Sequence, residues 1–267
     1  MADAPGSSAE PRGGGRPRSP TRLVTVERVE RLTPLLTRVT FTGDALAGFG
    51  PPRPAAHIKL LFPADGSGWS PDDEAAPRPP RRTYTPRRFD ARARSLEVDF
   101  VHHGDGLAAG WAARAKPGQV LYVNGPGGGY DVPADASDII LVADDTALPA
   151  AATIMEATPD TCRVTVLAEV AGRSEQRPLG TRDEVQPTWL LRDADASVPG
   201  SLLENAVRNL AAPSPTTCWW IACEAAAMRR IRKHLLLERG VDPGRVHTRG
   251  YWKLGETAYP DHDYGKD

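Results

Sequence analysis

In "LEVDFV" the apolar residues Leu96, Val98 and Phe100 alternate with Glu97 and Asp99, the two-residue period of a half-buried strand. Comparable runs, "RLVTVERVE", "LLTRVTFTG", "HIKLLFP", "RRTYTPR" and "VLYVNGP", follow one another from Arg22 to Pro126 with proline and glycine between them. About six short strands within ~100 residues predict an antiparallel barrel or sandwich. Ala64 to Pro80, rich in Pro, Asp and Gly, is expected to be a surface loop.

After Asp138 the pattern changes. "DIILVAD", "CRVTVLAEV", "CWWIACE" and "RVHTRGYW" read as strands, and "TALPAAATIMEA", "SLLENAVRNLA" and "AAAMRRIRKHLLLERG" carry helical periodicity between them. Alternation of this kind predicts a mostly parallel sheet with helices on its faces. The fold class expected is therefore an N-terminal antiparallel β barrel, residues 21–133, followed by a C-terminal α/β parallel-sheet domain of nucleotide-binding type, residues 134–267. No internal repeat is visible.

Composition narrows the function. Residues 1–20, "MADAPGSSAEPRGGGRPRSP", cannot bury enough apolar surface to offset ordering entropy and read as a disordered tail. With 33 Lys+Arg against 34 Asp+Glu, no global field recruits nucleic acid or an anionic membrane. No apolar run approaches the ~18 residues of a membrane-spanning helix. Cys162, Cys218 and Cys223 show neither metal-ligand spacing nor an even disulfide count, so no metal site is assigned and a reducing cytoplasm is the expected location.

Three stretches carry candidate chemistry. The run "GPGGG", Gly125 to Gly129, offers Gly125 and Gly127 to a phosphate fingerprint, but Tyr130 stands where the third glycine belongs and no helical pattern follows. A turn at a strand exit is the better reading. In "RRTYTPRR", strand alternation lets Arg82 and Tyr84 address one ligand, with Thr85 beside them; arginine forks a phosphate and tyrosine covers a conjugated ring. An exposed basic edge strand is the alternative. In "DFVHHGDGLAAGWAARA" a strand ends in two histidines and enters a small-residue helix start, where bare N–H groups can meet a pyrophosphate and His103 can donate to it.

These stretches, with "DDTALPAAATI", "LAEVAG" and "RGYWKLGE", closely resemble the siderophore-interacting family of flavoproteins, relatives of ferredoxin reductase, in the family's order from Leu23 to Glu256. The resemblance implies an FAD-binding barrel and a second domain that receives NADPH or NADH. It assigns Arg82, Tyr84 and Thr85 to the flavin and its phosphates, Asp99, Val101 and His103 to the ring and adenosine side, and the N–H groups of Ala108 and Ala109 to the pyrophosphate. Thr146 falls where the nicotinamide domain meets the flavin, ahead of a helix that Asp144 or Asp145 is expected to cap. Lys59 and Lys253 match basic positions for an anionic ferric siderophore, and Arg173 is a candidate for a 2′-phosphate. The implied reaction is reduction of a ferric siderophore, with NAD(P)H or a reduced ferredoxin as donor.

Three departures from the family pattern bear on this. Ala109 replaces a serine, removing one hydroxyl contact. Cys223 stands where glycine is usual, so a thiol is expected to crowd an incoming nicotinamide. Gly127 replaces an arginine of the chelate-binding group, opening room where a charge is expected. Gly127 and Cys223 favour a second reading, recruitment of the flavoprotein to biosynthesis of a small molecule; a carrier that binds without turnover is a third.

Overall fold

The protein is described by a computed structural model covering residues 20–64, 68–73, 75–102, 106–182, 184–192, 198–211, 213–260 and 263–265. The expected tail lies outside these residues apart from Pro20. Among the described residues the first sheet has seven strands: β1 (Thr21–Thr33), β2 (Leu36–Thr42), β3 (Ala56–Leu61), β4 (Arg81–Tyr84), β5 (Arg88–Asp90), β6 (Ser95–Val101) and β7 (Val120–Gly128). All pair antiparallel, in the order β4-β3-β7-β1-β2-β6-β5. The two edge strands are consecutive in the chain, so the sheet rolls into a barrel. Leu96, Val98 and Phe100, the alternating apolar set of β6, are fully buried inside it, and burying side chains of this size stabilises by about 1.5–3 kcal/mol each. The strand β5 was not expected; three residues are too few to display a period. The described part of 64–80 holds no helix or strand.

The short helix α1 (Leu107–Ala112) packs on the barrel core through buried Ala108 and Ala112 and through Trp111. Trp111 packs against Phe41, Phe62 and Phe100 with ring centroids 6.1, 5.8 and 5.6 Å away. That anchor holds the small-residue first turn of α1 beside the end of β6.

The second sheet is parallel, in the order β10-β9-β8-β11-β12, from β8 (Asp138–Asp144), β9 (Arg163–Val170), β10 (Thr188–Leu191), β11 (Thr217–Glu224) and β12 (Val246–Trp252). Trp219 and Trp220 are neighbours on the fully buried β11 and point to opposite faces. Trp220 joins the core under α2 (Leu148–Ala157), and Trp219 joins the core under α3 (Ser201–Asn209) and α4 (Ala225–Lys233). From β8 the chain runs to β9 and β10 on one side, then returns to β11 and β12 on the other. This topological switch opens a crevice at the carboxyl ends of β8 and β11, where ligands of open α/β sheets bind.

Buried polar contacts fix the two domains together. Glu175 accepts hydrogen bonds from the Thr33 hydroxyl and the Leu35 N–H, and Arg87 forks Glu156 at 2.8 and 3.0 Å while donating to the Leu179 carbonyl at 2.8 Å. The glycine run belongs to the same junction. Gly128 and Gly129 have φ of +66° and +124°, and a Cβ on Gly129 would lie 2.6 Å from the Cβ of Arg53. The expected turn is instead strand: Gly125 to Gly128 end β7 itself, with Gly127 and Gly128 paired with His57 and Ala56 of β3, and the Gly125 carbonyl accepts from buried Arg22 at 2.9 Å.

Candidate functional site

A cleft of about 950 Å³ opens between the barrel and the carboxyl ends of the parallel strands. The strand β3 contributes Lys59; β4 and the residue after it contribute Arg82, Tyr84 and Thr85; β6 contributes Asp99 and Val101; the first turn of α1 contributes Ala108 and Ala109. From the other domain come Thr146, ahead of α2, and Lys253, after β12. The structure thus brings these expected residues to one cavity. His103 lies outside the described residues.

Each position follows from local structure. Tyr84 packs its ring on Phe100 at 4.5 Å while lining the cleft, and burial pushes its phenol well above the ordinary value, so it is neutral. The first N–H groups of a helix lack intrahelical acceptors, so the turn at Leu107, Ala108 and Ala109 offers donors to the cleft without side chains in the way. Tyr251 shares a side-chain hydrogen bond with Thr85, closing the cleft floor across the two domains, and burial pushes its phenol up to about 12.

Several expectations change. Asp99 lines the cleft, but its carboxylate is forked by Arg38 at 2.7 and 2.9 Å, so it positions the end of β6 instead of offering a free acceptor. Neither Asp144 nor Asp145 caps α2, whose N-cap is Ala147 with no side-chain bond. Asp144 instead accepts from the N–H and hydroxyl of Thr146 at 3.0 and 2.6 Å, and Asp145 binds Arg192 at 2.7 Å, a stronger charge-assisted partner than a helix N–H. The Thr146 hydroxyl donates to Asp144, which fixes its orientation at the cleft wall.

The space beside Gly127 is not open: a Cβ there would lie 3.3 Å from Nε2 of His57, whose ring lines the cleft on β3. Arg249 of β12 also reaches this corner, its Nη1 3.9 Å from the Cβ position of Gly128. Cys223 does not face the cleft. Strand alternation turns it into the core under α4 with Trp219 and Ile221, fully buried, and burial raises its thiol well above the ordinary value. Arg173 is exposed in a short 3-10 turn, Arg173–Glu175, and does not line the cleft.

The sequence reading missed His57, Arg249, Tyr251, Trp252 and Tyr259, which also line the cleft. The signal for two of them was present: Arg249 and Tyr251 stand at i and i+2 in "RGYW", on one face of a strand whose end lies at the crevice. Tyr259 comes from the segment after β12, where no periodicity marks a wall.

The fold, a rolled antiparallel barrel joined through such a cleft to a five-stranded parallel sheet, is shared with the solved ferredoxin reductase in carbazole 1,9a-dioxygenase and with phthalate dioxygenase reductase, at 16% and 15% identity and TM-scores of 0.66 and 0.65. Residues 25–130 match the siderophore-interacting FAD-binding domain and residues 136–255 match the siderophore-interacting protein domain, so the chain belongs to the siderophore-interacting protein family. The crystal structure of a siderophore utilization protein from T. fusca is 39% identical, with a TM-score of 0.81, over 91% of this chain and 97% of that one. Ferric vibriobactin reductase ViuB of Vibrio cholerae is 30% identical over 91% of this chain and 93% of its own length. The NADPH-dependent ferric-chelate reductase of Escherichia coli is 31% identical over 86% and 92%.

The donor set fits FAD. The neutral Tyr84 ring, the Arg82 guanidinium and the bare first turn of α1 offer a flat surface, a phosphate fork and N–H donors within one cavity.

Proposed function

We propose that this chain is a ferric-siderophore reductase, using NADPH or NADH, or a reduced ferredoxin, to free iron as Fe(II). The observation that carries the reading is the single cleft shared by the flavin-type residues of the barrel, the carboxyl ends of the parallel strands, and the cationic side chains Lys59, Arg82, Arg249 and Lys253. When bound, FAD supplies the capacity to take hydride from a nicotinamide and to pass electrons singly to a metal.

The remaining work falls to this chain's own residues. Tyr84 and Val101 cover the ring, and Arg82 with the α1 first turn holds the phosphates. Thr146, oriented by Asp144, stands at the wall where the nicotinamide enters. Lys59, Arg249 and Lys253 hold an anionic chelate at the rim, Lys253 keeping an ion pair with Glu256 until the chelate competes for it. Hard oxygen ligands suit Fe(III) better than Fe(II), so one electron weakens the chelate. The boundary between residues 133 and 134 is proposed as the division between flavin and nicotinamide domains. The three cysteines are free and buried, which suits a reducing cytoplasm. With His57 filling the space at Gly127, the opening that favoured a biosynthetic role is gone.

The test uses FAD-loaded protein. NADPH or NADH should bleach the flavin anaerobically, and photoreduced protein mixed with ferric hydroxamate, catecholate and carboxylate chelates should yield Fe(II) in a colorimetric trap. Absence of trapped Fe(II) with every class would sink the reading.

A further inference from the structure

A second cavity, of about 310 Å³, lies at the domain junction on the far side of Asp99, at the small end of the roughly 300–1,000 Å³ typical of ligand pockets. Four arginines line it, Arg38, Arg87, Arg88 and Arg177, with Asp99 the one acid among the described lining residues. Two of the four are spent. Arg38 forks Asp99, and Arg87 forks Glu156 and reaches the Leu179 carbonyl.

The other two are differently placed. Among the described residues neither Arg88 nor Arg177 has a salt bridge. Among the described residues Arg177, which lines the cavity, donates one hydrogen bond, from Nη1 to the Glu175 carbonyl at 3.1 Å, and the rest of its five donors are not taken up by these residues. The acids whose fields reach Arg177 are Asp99, Asp145 and Glu175. Each is engaged elsewhere: Asp99 by Arg38, Asp145 by Arg192, and Glu175 by Thr33 and the Leu35 N–H. Burial, opposed by those fields, lowers the Arg177 pKa, the mark of a charge held away from water.

The segment carrying Arg177 is pinned on both sides. Buried Glu175 holds it to the barrel, and Leu179 is held by Arg87. Gly180 sits so close to Glu156 that a Cβ would meet Oε1 at 2.6 Å. A half-buried guanidinium with no ion-pair partner among the described residues, held rigidly beside a cavity, is costly unless an anion completes it. From this geometry we propose that the junction pocket is a second ligand site, in which Arg177 and Arg88 bind a phosphomonoester-sized oxyanion. Asp99 and Pro149 line both this pocket and the main cleft, so the oxyanion can arrive as free phosphate or as the phosphate of a nucleotide lying across the junction. The proposal stands independently of the reductase reading, because its test measures binding alone.

The test is calorimetric titration of the FAD-loaded protein with inorganic phosphate, with 2′-AMP, and with adenosine. The wild type should bind a phosphate-bearing probe and ignore adenosine. Arg177→Gln should weaken that binding about tenfold or more and Arg88→Gln about fivefold, while Arg177→Lys keeps the charge but loses the fork and falls between. Binding of 2′-AMP identifies a nucleotide phosphate as the source; binding of inorganic phosphate alone identifies the free ion. Should Arg177→Gln fail to fold, exposed Arg88 carries the comparison. No heat with either phosphate probe, or heat that Arg177→Gln and Arg88→Gln leave unchanged, overturns the proposal.

Discussion

The indole N–H of Trp252 donates to Oδ2 of Asp144 at 2.8 Å, tying the end of β12 to the end of β8 across the intervening β11. The same oxygen accepts the N–H of Glu224 at 3.0 Å. Glu224 in turn caps α4 through the Ala227 N–H at 2.9 Å and receives the Leu254 N–H at 3.3 Å. One buried carboxyl therefore sets the relative height of three strand ends and, through Glu224, the start of the segment that carries Lys253. Trp252→Phe keeps an aromatic ring, though a smaller one, and removes the indole donor, so unfolding in urea should show a loss of about 1 kcal/mol from the lost hydrogen bond. Asp144→Ala strands the buried Glu224 N–H as well and should cost on the order of 2–3 kcal/mol. A loss no larger for Asp144→Ala than for Trp252→Phe would mean that the carboxyl does not organise the strand ends.

Cys223 yields a prediction opposite to the one its position in the sequence suggests. Its side chain lies in the core under α4, so it should resist thiol reagents in the native protein and react only on unfolding. Cys223→Ala should leave the rate of flavin bleaching by NADPH unchanged, with a stability loss of about 1 kcal/mol from the lost packing. Faster bleaching in that variant would place the thiol in the nicotinamide path after all.

The order of strands and helices was legible because burial writes its period into the chain. The alternation in β6 and the apolar runs of β8, β9 and β11 are direct records of one-face and two-face burial. What escaped was short or non-local. Thr188–Leu191 is a four-residue edge strand, half-buried on average, and leaves no pattern to find. The site was legible where the family motif runs along one strand, as in Arg82 and Tyr84. It was illegible where two distant strands meet: nothing along the chain announces that His57 of β3 lies against Gly127 and Gly128 of β7, or that Arg249 of β12 reaches the same corner. The helix cap was misread for a related reason, since Asp145 has a partner, Arg192, 47 residues away.

Gly127 and His57 should trade places as determinants of chelate affinity. The 3.3 Å approach of the His57 ring leaves little room for a side chain on Gly127. Gly127→Arg in a His57→Ala background adds a cation at the rim, and an exposed charge contact of about 1 kcal/mol predicts roughly fivefold tighter binding of an anionic ferric chelate. In the presence of His57 the same substitution should gain less, because the imidazole must move first. Quenching of protein fluorescence by the chelate measures both. Equal gains in the two backgrounds would show that the ring is no obstacle.

Asp145 gives the pH dependence. Burial, partly offset by Arg192, pushes its carboxyl up to about 6 from 3.8. A folded state that holds a proton the unfolded chain has released loses stability as pH rises, here through the window from about 4 to about 6. At about 1.4 kcal/mol per pKa unit the group's contribution falls by roughly 3 kcal/mol across that window and is constant above it. Asp145→Asn cannot titrate, so the stability of the wild type minus that of the variant should decline between pH 4 and 6.5 and then level off, with the Arg192 contact adding only a constant offset. Urea unfolding at half-unit pH steps on both proteins measures this difference. A difference that rises with pH over the window would mean that the Arg192 ion pair outweighs burial and that Asp145 ionises below its ordinary value.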